Sequence, residues 1–193
     1  NMKIAITING ILRDVNSKIK YVFEKYNDTT IDDISFEDNL QEKLGFSSQT
    51  EVYNFLYVDA SMEIFGHSKE AEYNIFNQLN DLVMDRDVEF FLISDELGKG
   101  VPATLWFLAK YGSLCKNIKF YTTHNLNNLL KEFDYIITND KNIISQVKNS
   151  KTKIINYDSS LEESTDDTLN KLNNLKTILN VKSKSKRLTT NNS

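Results

Sequence analysis

The segment Val88-Glu89-Phe90-Phe91-Leu92-Ile93-Ser94 most constrains the fold, because it is apolar almost throughout instead of alternating apolar and polar residues. A strand of this kind is buried on both faces, and sheets buried on both faces are typically parallel and covered by helices. Shorter β-branched or apolar runs predict four more strands, at 3–8, 118–122, 134–138 and 153–157. Helical patterns separate these runs, so we predict an α/β fold with a Rossmann-like parallel sheet.

The longest interval between predicted strands lies between the first and the second, and it is mostly helical in pattern. Apolar residues recur at helical spacing from Val15 to Tyr26, and again from about 68 to 85. Asp14 or Asn16 is available as the N-cap of the first helix. Ligands of α/β sheets bind at the carboxyl ends of the strands, so an insertion here would cover that edge. We therefore predict an α/β core formed by 2–13 and 87–181, with a helical cap over 14–86.

The last part of the chain is predicted to be a helix over about 161–180, followed by a basic tail at 182–193. Four leucines share one face of this helix: Leu169, Leu172, Leu175 and Leu179. The tail contains four basic residues and no acidic one: Lys182, Lys184, Lys186 and Arg187. We expect a flexible, disordered tail, and an electrostatic docking arm for an acidic partner is the alternative.

The charge of the chain argues against nucleic acid as the partner of its main domain. The 193 residues have a formal net charge of −4, from 23 basic and 27 acidic residues. Because the tail holds four of the basic residues and none of the acidic ones, the rest of the chain carries −8. Such a body repels phosphate backbones. We expect a protein partner or a second copy instead.

The composition also bears on the compartment and the source. One cysteine, Cys115, excludes an internal disulfide and any multi-cysteine metal centre. No segment approaches a membrane span, and no cleavable signal opens the sequence, so we expect a cytoplasmic protein with no membrane partner. Only three of the 23 basic residues are arginine, and asparagine and isoleucine are frequent. This bias is typical of AT-rich genomes, which leaves a bacterial host cytoplasm or a phage virion as locations.

The order of these features resembles the haloacid dehalogenase (HAD) superfamily. A first strand ends in a short motif and Gly10, a helical cap follows, a second strand ends at Ser94, and a later strand is followed by paired polar residues. Within that superfamily the chain is most similar to small 5'-nucleotidase-like members with a cap after the first motif. The resemblance covers Met2 to Tyr157. It implies a HAD-like core with a phosphatase site at the carboxyl edge of the sheet.

The residues that would carry out the chemistry are replaced at the first motif. In the family this strand ends Asp-x-Asp-Gly, where the first aspartate is the nucleophile and the second the general acid/base. The matching segment here is Thr7-Ile8-Asn9-Gly10. A carboxylate nucleophile forms a phospho-aspartyl intermediate and holds Mg²⁺. The hydroxyl of Thr7 is not ionised near neutral pH, and no adjacent general base is visible in the sequence to activate it. The Asn9 amide cannot exchange a proton with a leaving group.

The second motif is retained and the third is not. Ser94 matches the family's Ser or Thr that hydrogen-bonds a phosphate oxygen. The third motif supplies a lysine, but 121–128 contains none, and His124 is the only basic group there. Gly98, Lys99 and Gly100 lie between a strand and a helix N-terminus, which suits an anion. A small phosphate ligand on Asn9, Ser94 and this loop is thus one hypothesis, and an ordinary loop is the other.

The fourth motif normally presents paired aspartates to the metal, and it maps onto Thr138-Asn139 with Asp140 immediately after. Mg²⁺ prefers oxygen donors that include carboxylates. Asp140 is the only candidate ligand among the mapped residues, so we expect no metal, no cofactor and no catalytic residue. Mg²⁺ would be needed only if the chain is an enzyme.

Three functions therefore remain open. The first, which we favour, is a catalytically degenerate HAD-like domain that acts as a binding or structural module, in a phage or its virion. The alternative is a divergent Mg²⁺-dependent 5'-nucleotidase or phosphatase that uses Asp140. The third is a non-catalytic sensor of a phosphate compound. A self-associating surface on the cap is one interpretation of the aromatic cluster Tyr53, Phe55, Leu56 and Tyr57, and core burial is the other.

Overall fold

The computed structural model of the protein describes residues 1–148 and 150–190. Its main sheet has six parallel strands: β1 (Met2–Thr7), β4 (Val88–Ser94), β5 (Asn117–Phe120), β6 (Tyr135–Thr138), β7 (Lys153–Tyr157) and β8 (Thr168–Leu169). Their order across the sheet is β5-β4-β1-β6-β7-β8. A separate two-stranded ladder pairs β2 (Arg13–Asp14) with β3 (Lys69–Glu70). The predicted α/β class and parallel sheet are confirmed.

Helices cover both faces of the sheet, as the doubly apolar strands require. The α-helices are α1 (Val15–Asn27), α2 (Leu40–Leu44), α3 (Gln49–Asn54), α4 (Ile75–Val83), α5 (Gly100–Lys110), α6 (Leu126–Leu130), α7 (Lys141–Val147) and α8 (Leu175–Thr190). Buried residues of α4, α5 and α8 pack on one face of the sheet. Those of α6 and α7 pack on the other. None of the helices described is long and apolar enough to cross a membrane.

The insertion after β1 forms a hydrophobic cluster of its own, built from α1 to α3 and two π-helical turns, Phe55–Asp59 and Met62–Gly66. Asp14 caps α1, with its Oδ1 accepting from Ser17 N at 3.2 Å. The aromatic cluster belongs to this interior, because Phe55, Leu56 and Tyr57 are buried. Core burial therefore accounts for most of that cluster.

The structure places the end of the insertion earlier than the expected boundary at residue 86. The β2–β3 ladder brings the two connections to the cap together, at Arg13–Asp14 and Lys69–Glu70. Helix α4 follows that ladder, and its apolar face packs in the cluster of the main sheet. Because α4 comes after the return connection, its helical pattern belongs to the core.

The expected helix over 161–180 is replaced by a strand, a 3₁₀ turn and α8. Thr168–Leu169 extends the sheet beside β7, and Leu172–Asn174 forms the 3₁₀ turn. Leu169, Leu172 and Leu175 are all fully buried in one cluster. Leucines three residues apart can therefore be buried on one side by a strand followed by a 3₁₀ turn, as well as by a helix. Helix α8 continues to Thr190, since the stretch contains no Gly or Pro, and the expected tail is helical that far. Residues 191–193 lie outside the described part.

Candidate functional site

The carboxyl ends of β1, β4 and β6 meet at one edge of the sheet and bring together Thr7, Ser94 and Thr138, which are all buried. Thr7 Oγ1 donates to Thr138 Oγ1 at 3.0 Å. Thr138 Oγ1 also accepts from the backbone N–H of Asp140 at 3.0 Å. The two threonines at the mapped nucleophile and fourth-motif positions therefore bond to each other.

A tight loop after β1 turns the chain back toward this edge. Ile8 O accepts from the N–H groups of Leu12 and Arg13, both at 3.0 Å. Gly10 has φ +86°, and a Cβ there would lie 2.5 Å from Asn139 Oδ1. Asn139 Nδ2 donates to Gly10 O at 3.0 Å. Only glycine fits this turn without strain, and the turn aims Arg13 at the site.

Arg13 is fully buried and donates to four groups. Its Nε donates to Asn9 Oδ1 at 2.9 Å, and one terminal nitrogen donates to Phe65 O and Thr104 Oγ1, both at 2.9 Å. The other terminal nitrogen donates to Glu96 Oε1 at 2.6 Å. The guanidinium lies 5.2 Å from the ring centre of Phe65, within cation–π range. It therefore connects the cap, through the Phe65 carbonyl, to the core.

Glu96 completes this buried network. Its Oε1 also accepts from Thr104 Oγ1 at 2.7 Å, and Ser94 Oγ donates to the carboxylate at 2.7 Å. Its Oε2 accepts from Asn9 Nδ2 at 3.1 Å. Burial alone would raise the pKa of Glu96, but the Arg13 charge and these hydrogen bonds outweigh it and hold the pKa below its ordinary value. Asn9 and Ser94, which the resemblance assigns to acid/base chemistry and phosphate binding, thus contact an internal ion pair.

A cleft of 480 Å³ lies between the cap and this edge of the sheet. Asp14 and Glu37 line it from the insertion, and Asp95, Tyr121 and Asp140 line it from the core. Burial, then the charges of Glu96 and Asp140, raise the pKa of Asp95 to about 8. Burial and the Asp140 charge likewise raise the pKa of Glu37. The cleft is therefore acidic.

The side chains at the mapped metal positions do not fit Mg²⁺. Thr7, Asn9, Thr138 and Asn139 are neutral. Asp140 is the remaining carboxylate, and its Oδ1 caps α7 by accepting from Asn142 N at 2.8 Å and Ile143 N at 3.2 Å. Within 1–148 and 150–190, no three His, Cys, Asp or Glu side chains are placed to hold one ion. A hard cation needs several charged oxygens converging on one point, and this edge does not supply them.

The loop with Gly98, Lys99 and Gly100 does not line the cleft, so the structure does not bring the whole expected phosphate set together. Lys99 N donates to Tyr57 O at 3.0 Å. A Cβ at Gly100 would lie 2.9 Å from Tyr57 Cδ1. The glycines therefore allow close packing of the loop against the cap. His124 is exposed and is not among the residues that line the cleft.

Sequence reasoning did not assign a role to Arg13, Asp95, Glu96 or Tyr121. Arg13 is one of three arginines, and it stands three residues after Gly10. Asp95 and Glu96 directly follow Ser94 at a strand end. Their places after Gly10 and after a strand end could have marked them as site residues. The contact between Arg13 and Glu96 joins residues 83 positions apart, so it could be identified only from the folded structure.

Comparisons with known proteins support the fold. The chain is similar to a HAD-superfamily hydrolase of subfamily IA, variant 1, from Geobacter sulfurreducens, with a TM-score of 0.56, 11% identity, and 92% of this chain and 96% of that chain covered. Two further matches have lower TM-scores. A haloacid dehalogenase-like protein from Burkholderia xenovorans gives 0.47 at 9% identity, covering 91% and 94% of the two chains. A protein assigned as a β-phosphoglucomutase from Thermotoga maritima gives 0.49 at 14%, covering 95% and 99%.

The protein therefore has the α/β fold of the HAD superfamily, which the sequence predicted. No protein-family model matches the sequence, and no curated protein does. The description of the Geobacter sulfurreducens protein names a hydrolase of subfamily IA, not a nucleotidase. The likeness at these identities describes the fold alone, so the activity has to be argued from the side chains at the site.

Proposed function

We propose that this chain is a HAD-fold domain that has lost phosphoryl transfer and acts as a binding or structural module. The observation that carries this proposal is the buried Arg13–Glu96 ion pair, which takes up the side chains of Asn9 and Ser94. A family enzyme needs those positions free to contact the phosphate and the leaving group. Here both are bound to the protein itself.

The nucleophile position supports the same conclusion. Thr7 Oγ1 is buried and donates its proton to another neutral hydroxyl, Thr138 Oγ1. An alkoxide nucleophile requires a neighbouring general base, as in Ser–His pairs. The described hydrogen bonds of Thr7 include none to a carboxylate or imidazole.

The charge of the cleft also opposes a phosphate dianion. Arg13 is neutralised by Glu96, and Lys141 is the remaining basic residue among those that line the cleft. Asp14, Glu37 and Asp140 line the same space. Because the mapped metal positions carry neutral side chains and the cleft is lined by these acids, a phosphate group would meet repulsion rather than a clamp.

A Mg²⁺-dependent phosphatase assay tests the proposal, with p-nitrophenyl phosphate and nucleoside monophosphates as substrates. We expect the wild-type chain to give no turnover above a boiled sample, and Thr7→Val to behave identically. Turnover that Asp140→Asn abolishes, and that Asp87→Asn leaves intact, would overturn the proposal. Asp87 is an exposed acid just before β4, at the opposite edge of the sheet, so it controls for the loss of one charge.

That result would establish the second candidate, a divergent phosphatase. It is favoured by the HAD-superfamily hydrolase from Geobacter sulfurreducens that shares this fold, and by the position of Asp140 in the cleft. The proposal also includes a closer relation to 5'-nucleotidases within the superfamily. It includes a protein partner or a second copy of the chain, and a phage as the source. The phage source rests on the Asn-, Lys- and Ile-rich composition alone.

A further inference from the structure

We infer that the cleft between cap and core binds a small aliphatic diamine, through carboxylates at its walls and the hydroxyl of Tyr121. This inference deepens the proposed function, on which it rests, by naming a ligand class for a module that no longer transfers phosphate. Four carboxyl side chains line the cleft, from Asp14, Glu37, Asp95 and Asp140. Lys141 is the one cation among the lining residues that is not offset by a buried partner.

Tyr121 gives an independent indication that a ligand belongs here. Its side chain is only 7% exposed, yet none of the described hydrogen bonds involves its hydroxyl. No fully buried side-chain nitrogen or oxygen of the described residues lacks a partner. The Tyr121 hydroxyl must therefore open onto the cleft, where it is free to accept a hydrogen bond from an ammonium group.

The arrangement of the acids favours an extended cation over a single ion. They come from four different segments: the start of the cap, the loop before α2, the residue after β4 and the N-cap of α7. No three of them converge as a metal site would require. Asp14, Glu37 and Asp140 provide separate carboxylates that match a molecule whose positive groups are held apart by a carbon chain. Because the pKa of Asp95 is raised to about 8, its carboxyl group is largely protonated at neutral pH and offers a hydrogen bond rather than a charge.

The partly exposed apolar lining fits that carbon chain. Phe36 and Ala71 are half-buried and line the same cleft. Methylene groups gain free energy when they leave water for such surfaces. A neutral diol of the same length would gain this contact without the charge attraction, and it therefore provides the matched ligand control.

Calorimetric titration with 1,5-diaminopentane tests the inference, with 1,5-pentanediol and MgCl₂ as comparison ligands. We expect saturable diamine binding, no detectable diol binding, and weaker affinity at higher salt. Asp140→Asn and Glu37→Gln should each raise the Kd about fivefold, because each removes one carboxylate charge. Tyr121→Phe should raise it about threefold by removing one hydrogen bond.

Two further variants test whether the Kd of the diamine follows the charge of the cleft. Lys141→Gln should tighten diamine binding, since it removes the competing cation, and Asp87→Asn at the opposite edge should leave the Kd unchanged. A flat diamine titration, equal affinity for the diol, or equal losses in Asp87→Asn and Asp140→Asn would overturn the inference. Binding of Mg²⁺ that displaces the diamine would overturn it too. The phosphatase assay contains no amine, so its result stands apart from this one.

Discussion

Replacing Arg13 by methionine should be among the most destabilising single changes in this protein. Methionine fills much of the arginine volume, but it leaves the Glu96 carboxylate fully buried without its charge partner. It also leaves the Phe65 carbonyl and the Asn9 Oδ1 without the donor that each now has. The change thus removes the connection between cap and core as well as an ion pair.

The expected loss is about 3–5 kcal/mol, which is the usual cost of leaving one member of a buried ion pair alone. Total stability of a domain is about 5–15 kcal/mol, so Arg13→Met would consume a large share of it. Arg13→Lys keeps a positive charge near Glu96 but cannot reproduce the bonds to Asn9, Phe65 and Thr104 together. At about 1 kcal/mol per neutral bond, it should cost about 2–3 kcal/mol.

Urea unfolding at neutral pH, followed by circular dichroism, measures these differences in the free energy of unfolding. The double variant Arg13→Met/Glu96→Gln completes a cycle, and its loss should be well below the sum of the two single losses, because neither charge is then left unpaired. A loss under about 1 kcal/mol for Arg13→Met, or additive losses in the cycle, would refute the argument that this pair is a buried structural connection.

Three other predictions follow from local geometry. Gly10→Ala should lose about 1–3 kcal/mol in urea unfolding, since φ is +86° and the new Cβ would meet Asn139; a loss under about 0.5 kcal/mol would contradict this. The raised pKa of Asp95, about 8, means that the folded state binds its proton more tightly than the unfolded chain, so this group makes stability fall as pH rises from about 4 to 8. Asp95→Asn should remove that component, and its stability relative to wild type should therefore be higher at pH 8 than at pH 5; an equal difference at both pH values would argue against it. Asp140→Ala should lose about 1 kcal/mol because it removes the cap of α7, whereas Asp140→Asn should keep the cap, and thermal melts of the two variants compare them directly.

The sheet was predictable because its strands are nearly continuous apolar runs, which are typical of parallel sheets covered on both faces. The second predicted strand matches β4 residue for residue, from Val88 to Ser94. The boundary of the cap was not predictable in the same way. Helix α4 has an apolar face like that of a cap helix, and only its packing on the main sheet shows where it belongs.

The chemistry of the edge was predictable in part. Neutral side chains at Thr7 and Asn9 could be identified from the sequence, and so could the position of Ser94 at a strand end. What the sequence could not show is the partner of each group. Arg13 and Glu96 stand in separate segments, and nothing in either segment indicates that the two side chains meet in the interior.

The position of Glu96 makes a last prediction possible, which is that placing aspartates at the two first-motif positions would not produce phosphatase activity. An aspartate at position 9 would place a second carboxylate where Asn9 Nδ2 now donates to Glu96 Oε2 at 3.1 Å. The two acids would share one guanidinium, since Arg13 contacts both positions. Like charges in a buried setting disfavour ionisation, so one of the acids would be held neutral and unable to serve as a ligand. We therefore expect Thr7→Asp/Asn9→Asp to be less stable than wild type, to show no rise in Tm with Mg²⁺, and to give no phosphatase turnover. Mg²⁺-dependent turnover in this double variant would mean that the Arg13–Glu96 pair does not block the site.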